Sequence, residues 1–420
     1  MPKLSKLLQP IQPQKNLRQP IYFLSFTILF VTLFDCTMSY ITPLLLVERG
    51  FSITLMGIIV GVSSFAGAIF DLILCKIAPN ANYRRIFLAM FAASFIYPLI
   101  LWSAKSIWIF LLAMAIWGIY YDLLNFGIFN FIGRYTQKEE NANNFGITQV
   151  FKALANVIAP IVVGFAVVAY VDWKSFALGW IFLAIGLLFF ISLILLMKRQ
   201  KVPEMKNYLK PKTISFEVHL WKKIGRLILP VLLLTFFLYL IEAFFWTLMP
   251  IYAESSGLKV LAGLFLTAYT LPALFVGWLI GSITRKFGKK RTGYLGLFIG
   301  SIVLSTFSLI NGPYLIALII FVASFFIAFS LPSINSAYAD YISETPEVEK
   351  EIESLEDFFT NLGFILGPIT AGFLADSFSI PTAFTFLGLA GTLLAIILFN
   401  ITPRSISIKL NNHEIDHIKG

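Results

Sequence analysis

FTILFVTLFDCTMSYITPLLLV, Phe26–Val47, holds a single acid, Asp35, in an otherwise apolar and hydroxyl-bearing run. As a helix, at 1.5 Å per residue, a run of this length reaches about 33 Å, enough to cross the roughly 30 Å of bilayer hydrocarbon. A carboxylate near the middle of such a helix costs about 2.5–3.5 kcal/mol on insertion scales. Asp35 is therefore expected to face a hydrated interior and not lipid. Whether the run is a membrane span or a buried soluble helix is decided by its surroundings.

Those surroundings are as apolar as the run itself. The chain has 420 residues, 58% of them apolar and 13% charged, about half the charged share of a soluble domain. The mean hydropathy is +0.83. Twelve apolar segments are long enough to cross a bilayer, at 21–47, 53–78, 86–104, 107–132, 144–170, 176–197, 227–252, 260–284, 292–311, 313–338, 355–376 and 380–400. Backbone groups in lipid must be satisfied within their own segment, and no run of short alternating strands suggests a barrel. The fold class is thus an all-α membrane protein of twelve transmembrane helices.

The net charge of +10 does not mark a nucleic-acid partner, because the basic residues fall in short gaps between apolar runs. With the amino terminus placed inside, 27 of the 32 Lys and Arg residues lie on that side, 4 lie on the other, and Lys152 sits within a span. This bias places both termini in the cytoplasm, and the expected location is the plasma membrane. The first 20 residues carry Lys3, Lys6, Lys15 and Arg18 and no acid. The apolar run after them is too long for a signal-peptide core, so it is expected to stay as the first span. Cys36 and Cys75 both lie in apolar segments and suggest neither a disulfide framework nor a metal cluster. No cofactor is expected, and nothing calls for an oligomer.

The longest gap, 198–226, is basic and contains two prolines. It separates a six-span unit, 21–197, from a second, 227–400, with cytoplasmic tails at 1–20 and 401–420. The two units repeat one another. Asp35 and Glu242, Pro43 and Pro250, Gly50 and Gly257, and Arg84 and Arg291 are each 207 residues apart; Pro160 and Pro368, and Gly164 and Gly372, are 208 apart. Two pseudo-symmetric six-helix bundles follow.

Twelve spans, a basic central loop and two parallel halves resemble the major facilitator superfamily over about residues 20–400. Its cytoplasmic signature after the eighth span, G-x-x-x-D-[RK]-x-G-[RK]-[RK], is similar to GSITRKFGKKR, Gly281–Arg291. Gly281, Lys286, Gly288, Lys289 and Lys290 fit, with Arg291 following, while Arg285 replaces the acid. The resemblance implies a gating loop at the inner face whose latch lacks its acid. GAIFD, Gly67–Asp71, matches the start of the same signature, but the repeat offset pairs Asp71 with Trp278 inside the eighth span. Asp71 is therefore expected within the membrane, and CKIAPNANYRR is the equivalent loop. GFILGPITAG, Gly363–Gly372, resembles the family's Gly-Pro motif of antiporters, which here is fuller in the eleventh span than in the fifth. It equally fits close helix packing by small residues.

Five ionisable residues lie within the spans: Asp35, Asp71, Asp122, Lys152 and Glu242. Intramembrane charges usually mark a substrate or proton path. Ser25, Thr32, Ser39 and Thr42 share a stripe of about 100° with Asp35, as expected of a helix facing a hydrated cavity. Around Glu242 the same face carries Tyr239, Phe245, Trp246 and Met249, where aromatic rings suit a cation. Asp122 and Lys152, on adjacent antiparallel spans, lie within about one turn of the same depth, which permits an ion pair. Asn125, one turn beyond Asp122, completes the set expected to bind substrate and protons. Desolvation favours the protonated form of a carboxyl, so an acid in such a cavity can load a proton on one side and release it on the other.

Other signals carry less. His413, Glu414 and His417 spell H-E-x-x-H, but lack a third ligand and a cleft. No phosphate-binding loop indicates an ATP-driven pump, and no histidine lies in any apolar segment to support a membrane enzyme. The acidic run SETPEVEKEIESLED, Ser343–Asp357, is either a solvated loop or a partner for the basic loop at Lys286–Arg291. Trp102, Trp108 and Trp173 fit an interfacial belt. The sequence points to a secondary transporter moving a small organic solute by alternating access, as proton-coupled efflux, with proton-linked uptake of a sugar or organic acid as the alternative.

Overall fold

A computed structural model of the chain describes residues 18–77, 81–136, 138–167, 171–198, 214–256 and 261–403. Lys3, Lys6 and Lys15, most of the basic linker, Gly257, Lys259 and the tail with His413, Glu414 and His417 lie outside the described residues. Among the described residues, twelve helices are long and apolar enough to cross a membrane. Spans 1–6 are Arg18–Glu48, Ile53–Ile77, Tyr83–Ser103, Ile107–Tyr135, Lys138–Ala166 and Trp173–Leu196. Spans 7–12 are Ile214–Ser255, Leu264–Phe287, Lys289–Leu309, Pro313–Glu344, Glu349–Ser377 and Ile380–Ile401.

Three helices begin well before their apolar runs, span 5 at Lys138 among them. Span 7 starts at Ile214 and span 11 at Glu349. In span 11, Glu349 and Glu351 occupy the first turn, where acids complement the helix dipole. Most of the acidic run Ser343–Asp357, read as either a solvated loop or a partner for the basic loop, is therefore helix, and it ends one turn inside the apolar segment. Two other spans break. Span 8 breaks at Leu271, before Pro272. Span 10 breaks at Ala328–Phe329, where Pro332 cannot donate to the Ala328 carbonyl and crowds it.

Within the first half, span 1 packs on spans 5 and 6, and span 4 on spans 2 and 3; within the second, span 7 packs on 11 and span 9 on 10 and 12. The halves meet chiefly where span 2 packs on span 11, span 5 on span 8 and span 1 on span 7, while spans 4 and 5 make no comparable packing with the second part of span 10 or with span 11. The contacts concentrate at the end away from the termini, called here the far end. There Gly57 faces the Pro368 carbonyl, and Gly263 faces the Pro160 carbonyl, so closely that a Cβ on either glycine would overlap that oxygen. The Asn156 carbonyl, whose helical partner Pro160 replaces, accepts from Thr270 Oγ1 of the other half at 3.1 Å. At the mouth of the far end, Asp376 of span 11 accepts from Ile53 N (3.2 Å), Thr54 N (2.7 Å) and Thr54 Oγ1 (2.6 Å), satisfying the first amides of span 2. Tyr40 OH donates to Glu254 Oε1 at 3.1 Å across the same end. Trp102, Trp108 and Trp173 are exposed near it, as a belt requires.

Replacing Gly57 by Val should prevent this approach. Overpacking of this kind costs about 1–3 kcal/mol, equivalent to about 5- to 150-fold in a two-state equilibrium. Electron–electron distance measurements between labels at the far ends of spans 2 and 11, in nanodiscs, should show the short-distance population falling by such a factor. An unchanged distribution would mean the glycine is not what lets the ends close.

Candidate substrate and ion site

A cavity of about 800 Å³ lies between the halves, within the size range of small-molecule sites. Spans 1, 2, 4 and 5 wall it on one side and spans 7, 8, 10 and 11 on the other. Its lining extends to Gln149, Asn335 and Asp357, towards the termini. Asp35 and Glu242, the repeat mates, both line it.

Asp35 is held from span 4. Trp117 Nε1 donates to Asp35 Oδ1 at 2.9 Å, and Tyr120 OH donates to the same oxygen at 2.8 Å. Three residues apart, the two donors share one helix face. Tyr120 is itself wedged by Phe34 and Tyr97, with ring centroids 5.6 and 5.7 Å away. The second oxygen, Oδ2, has no partner among the described residues. Ser39 lines the cavity one turn along and donates its hydroxyl to the Asp35 carbonyl at 2.9 Å.

Glu242 projects from span 7 with Tyr239 and Trp246 beside it on the cavity wall. Lys152 enters from span 5. It donates to Asn125 Oδ1 at 3.0 Å and sits 5.4 Å over the Tyr121 ring, in cation–π range. The ion pair that matching depth permits between Lys152 and Asp122 is not formed. Equal depth places two side chains at one level, but Asn125, one turn from Asp122, meets the amine instead. Lys152 lies within electrostatic reach of both Asp35 and Glu242. The charged lining is thus Asp35, Asp122, Glu242 and Asp357 against Lys152, an excess of acid that suits a cation.

Several expected neighbours are elsewhere. Ser25 and Thr42 are fully buried and return their hydroxyls to the carbonyls of Ile21 and Met38, at 2.8 and 2.7 Å. Only Thr32 and Ser39 of the polar stripe reach the cavity with Asp35. On span 7, Phe245 stacks on Tyr269 at 4.1 Å between centroids and Met249 is fully buried, so both are packing residues. Asp71 lies on the span 2 helix, as expected, one turn beyond Gly67, but does not line the cavity; it is within electrostatic reach of Asp122 and Asp357. In the loop after span 8, Gly288 has φ +85° and turns the chain. Lys289 pairs with Asp340 at 2.6 Å, Lys290 Nζ donates to the Pro403 carbonyl at 2.7 Å, and Lys286 lies 5.4 Å over the Phe287 ring. Gly281 accepts from Arg285 Nε at 3.1 Å. The acid that meets this loop is therefore Asp340 of span 10, in the same half, and not a member of the Ser343–Asp357 run. Arg291, mate of Arg84, starts span 9 exposed.

The family model of the Major Facilitator Superfamily matches residues 21–349. Among solved structures, the chain is similar to a peptide transporter, POT, in complex with sulfate, with 15% identity, a TM-score of 0.72, and coverage of 93% of this chain and 96% of that one. It is similar to the nucleoside transporter NupG, with 12% identity, a TM-score of 0.69, and coverage of 93% and 100%. It is also similar to a bacterial homologue of the human lysosomal transporter Spinster, inward-facing and occupied, with 13% identity, a TM-score of 0.73, and coverage of 93% and 98%. At these identities the likeness shows the fold. Among curated protein sequences none matches.

Adjacent aromatic residues on span 7 should separate by role. Phe245→Ala opens a void beneath Tyr269, at about 3–5 kcal/mol for a buried aromatic, and should lower the melting temperature in detergent markedly. Trp246→Ala removes cavity wall and should leave melting within a few degrees while changing solute transport. Equal destabilisation by both would place Trp246 in the core.

Proposed function

The chain belongs to the major facilitator superfamily, and on that ground we propose that it is a proton-coupled antiporter exporting a small organic cation. That it is a multi-pass membrane transporter and not an enzyme follows from the family; direction, coupling and solute are this proposal. The observation that carries it is the meeting of Asp35 and Glu242, equivalent residues of the two halves, in one acid-rich cavity.

The proposed setting is the plasma membrane of a monomer with both termini cytoplasmic, two six-span units at 21–197 and 227–400, and the basic linker 198–226 joining them. The conformation then has its cavity open to the cytoplasm. A cation entering there meets Asp357 and Asp122 first, and the central pair beyond them. Aromatic faces at Trp246 and Tyr239 would add cation–π attraction of about 0.5–2 kcal/mol. Cation and proton compete within one carboxylate-lined cavity, and such competition is reciprocal: whatever weakens one by the presence of the other does so equally in reverse. A cycle that binds the cation on one face and protons on the other is an antiport.

Proteoliposomes with an imposed pH gradient and tetraphenylphosphonium as probe distinguish the readings. Antiport accumulates the probe on the acidic side of the membrane at zero membrane potential. A symporter would accumulate its solute on the alkaline side. Asp35→Asn should abolish gradient-driven accumulation while the variant remains monodisperse. Accumulation indifferent to the pH gradient would refute the coupling.

A further inference from the structure

The two central carboxylates share a cavity but not their partners. Asp35 Oδ1 accepts from both Trp117 Nε1 and Tyr120 OH. Glu242 accepts no hydrogen bond from any described residue. The repeat explains the difference. Carried by 207 residues, Trp117 falls on Ser324 and Tyr120 on Ile327. Both line the cavity, but Ile327 has no donor, and Ser324 Oγ makes no hydrogen bond. One half kept, or gained, a pair of donors for its acid; the other has none in the same places.

We propose that Asp35 remains ionised and anchors the substrate's positive charge through Oδ2, while Glu242 is the group that takes up and releases the proton. The proposal rests on the antiport reading above. Hydrogen bonds donated to a carboxylate favour its charged form, and bonds to an ionised acceptor are about twice as strong as neutral ones. An indole N–H only donates, so Trp117 commits Oδ1 as an acceptor, and protonation of Asp35 would weaken both bonds. Glu242 loses no such bond when neutral.

The other titratable neighbours do not overturn this assignment. Around Asp35 are Cys36 on its own helix, Tyr97 on span 3, Tyr120 and Tyr121 on span 4, and Lys152 on span 5. Around Glu242 are Tyr239 on its own helix, Cys36 on span 1, Tyr121 on span 4, Lys152 on span 5 and Tyr269 on span 8. Span 4 also brings Asp122 to the cavity and span 11 brings Asp357, while the cavity-lining residues of span 10 include no titratable group. Lys152 acts on both acids and so does not separate them. What separates two carboxyl groups into different roles is a difference of environment, and here that difference is the donor pair on span 4.

The test is equilibrium binding of radiolabelled tetraphenylphosphonium to the purified full-length protein between pH 5.5 and 8.5, beside the flux assay. Wild type should bind more weakly as pH falls. In Glu242→Gln the affinity should no longer vary with pH, and flux should no longer follow the pH gradient. Asp35→Asn should bind at least tenfold more weakly at every pH and keep the pH dependence. Trp117→Phe combined with Tyr120→Phe should let Asp35 protonate, so that binding fails at a higher pH than in wild type, by about one unit, a tenfold change in proton affinity. If that double variant does not fold, Tyr120→Phe alone should move the profile in the same direction. The assignment is overturned if Asp35→Asn abolishes the pH dependence, if Glu242→Gln keeps it, or if removal of the donors leaves the profile unmoved. Gradient-driven flux in wild type with any of these outcomes rejects the division of roles alone. Absence of both probe binding and gradient-driven flux in wild type rejects the antiport reading and the assignment with it.

Discussion

Two backbone contacts at the far end set the shape of everything below them. Gly57 meets the Pro368 carbonyl and Gly263 meets the Pro160 carbonyl, so each half offers one glycine and one proline to the other. The prolines are 208 residues apart and the glycines 206, which makes the closure a product of the duplication. A glycine removes the Cβ that would hold the helices apart, as small residues do at other membrane helix interfaces. Proline frees a carbonyl one turn earlier, and the Asn156 carbonyl so freed accepts a hydroxyl from across the interface. With the halves joined there, they diverge towards the termini, and the divergence is the cavity. The Gly-Pro motif serves both kinds of packing: Gly363 and Gly367 lie against span 7 of their own half, while Pro368 and Gly372 meet span 2 of the other.

Given that geometry, the polar chemistry follows from what lipid will not tolerate. Charged side chains at membrane depth are excluded from the acyl face, so Asp35, Glu242, Asp122 and Lys152 turn into the cavity. Once there they differ by local donors. Asp35 is braced by an indole and a phenol that are themselves locked by Phe34 and Tyr97. A carboxylate held in this way has a fixed free oxygen and a defined approach direction. Glu242 lacks such bracing, although its helix is packed tightly by Phe244, Phe245 and Leu248. Duplication supplies two acids in matched positions, and divergence of the flanking span gives them different surroundings.

The sequence carried the architecture well and the site in part. Hydropathy and charge gave twelve spans and their order, because lipid imposes a long, uninterrupted signal on each one. The repeat offset identified Asp35 and Glu242 as a pair. What failed was inference from helix faces. Ser25 and Thr42 share a stripe with Asp35, yet both bond to their own helix one turn back, so a hydroxyl in a membrane helix does not indicate water. Matching depth suggested Asp122 for Lys152, but depth says nothing about azimuth, and Asn125 occupies the right direction. Trp117 and Tyr120 were hidden because aromatic residues in an apolar helix look like lipid-facing bulk. Laying the second half over the first at 207 residues would have exposed them, since a tryptophan and a tyrosine stand there against a serine and an isoleucine.

The end near the termini is held differently, and this bears on what drives the conformational change. The loop after span 8 spends Lys289 on Asp340, a residue of its own half, at partly exposed positions. Exposed ion pairs contribute about 0–1 kcal/mol, and this one joins spans 9 and 10, not the two bundles. With Arg285 where the family signature has an acid, that loop offers no obvious latch to the first half. The far end has three hydrogen bonds to Asp376, the Tyr40–Glu254 bond and two backbone contacts across the interface. These contacts brace the far end of the state described here. Moving a two-state equilibrium from 1:99 to 99:1 takes about 5.5 kcal/mol of differential binding, and this must come from ligands that prefer the other state. The central carboxylates are where such preference can be expressed, because they are charged groups that the two halves bring to one cavity. Whatever neutralises or bridges them changes the cost of bringing the halves together at the termini end, and so couples occupancy to access.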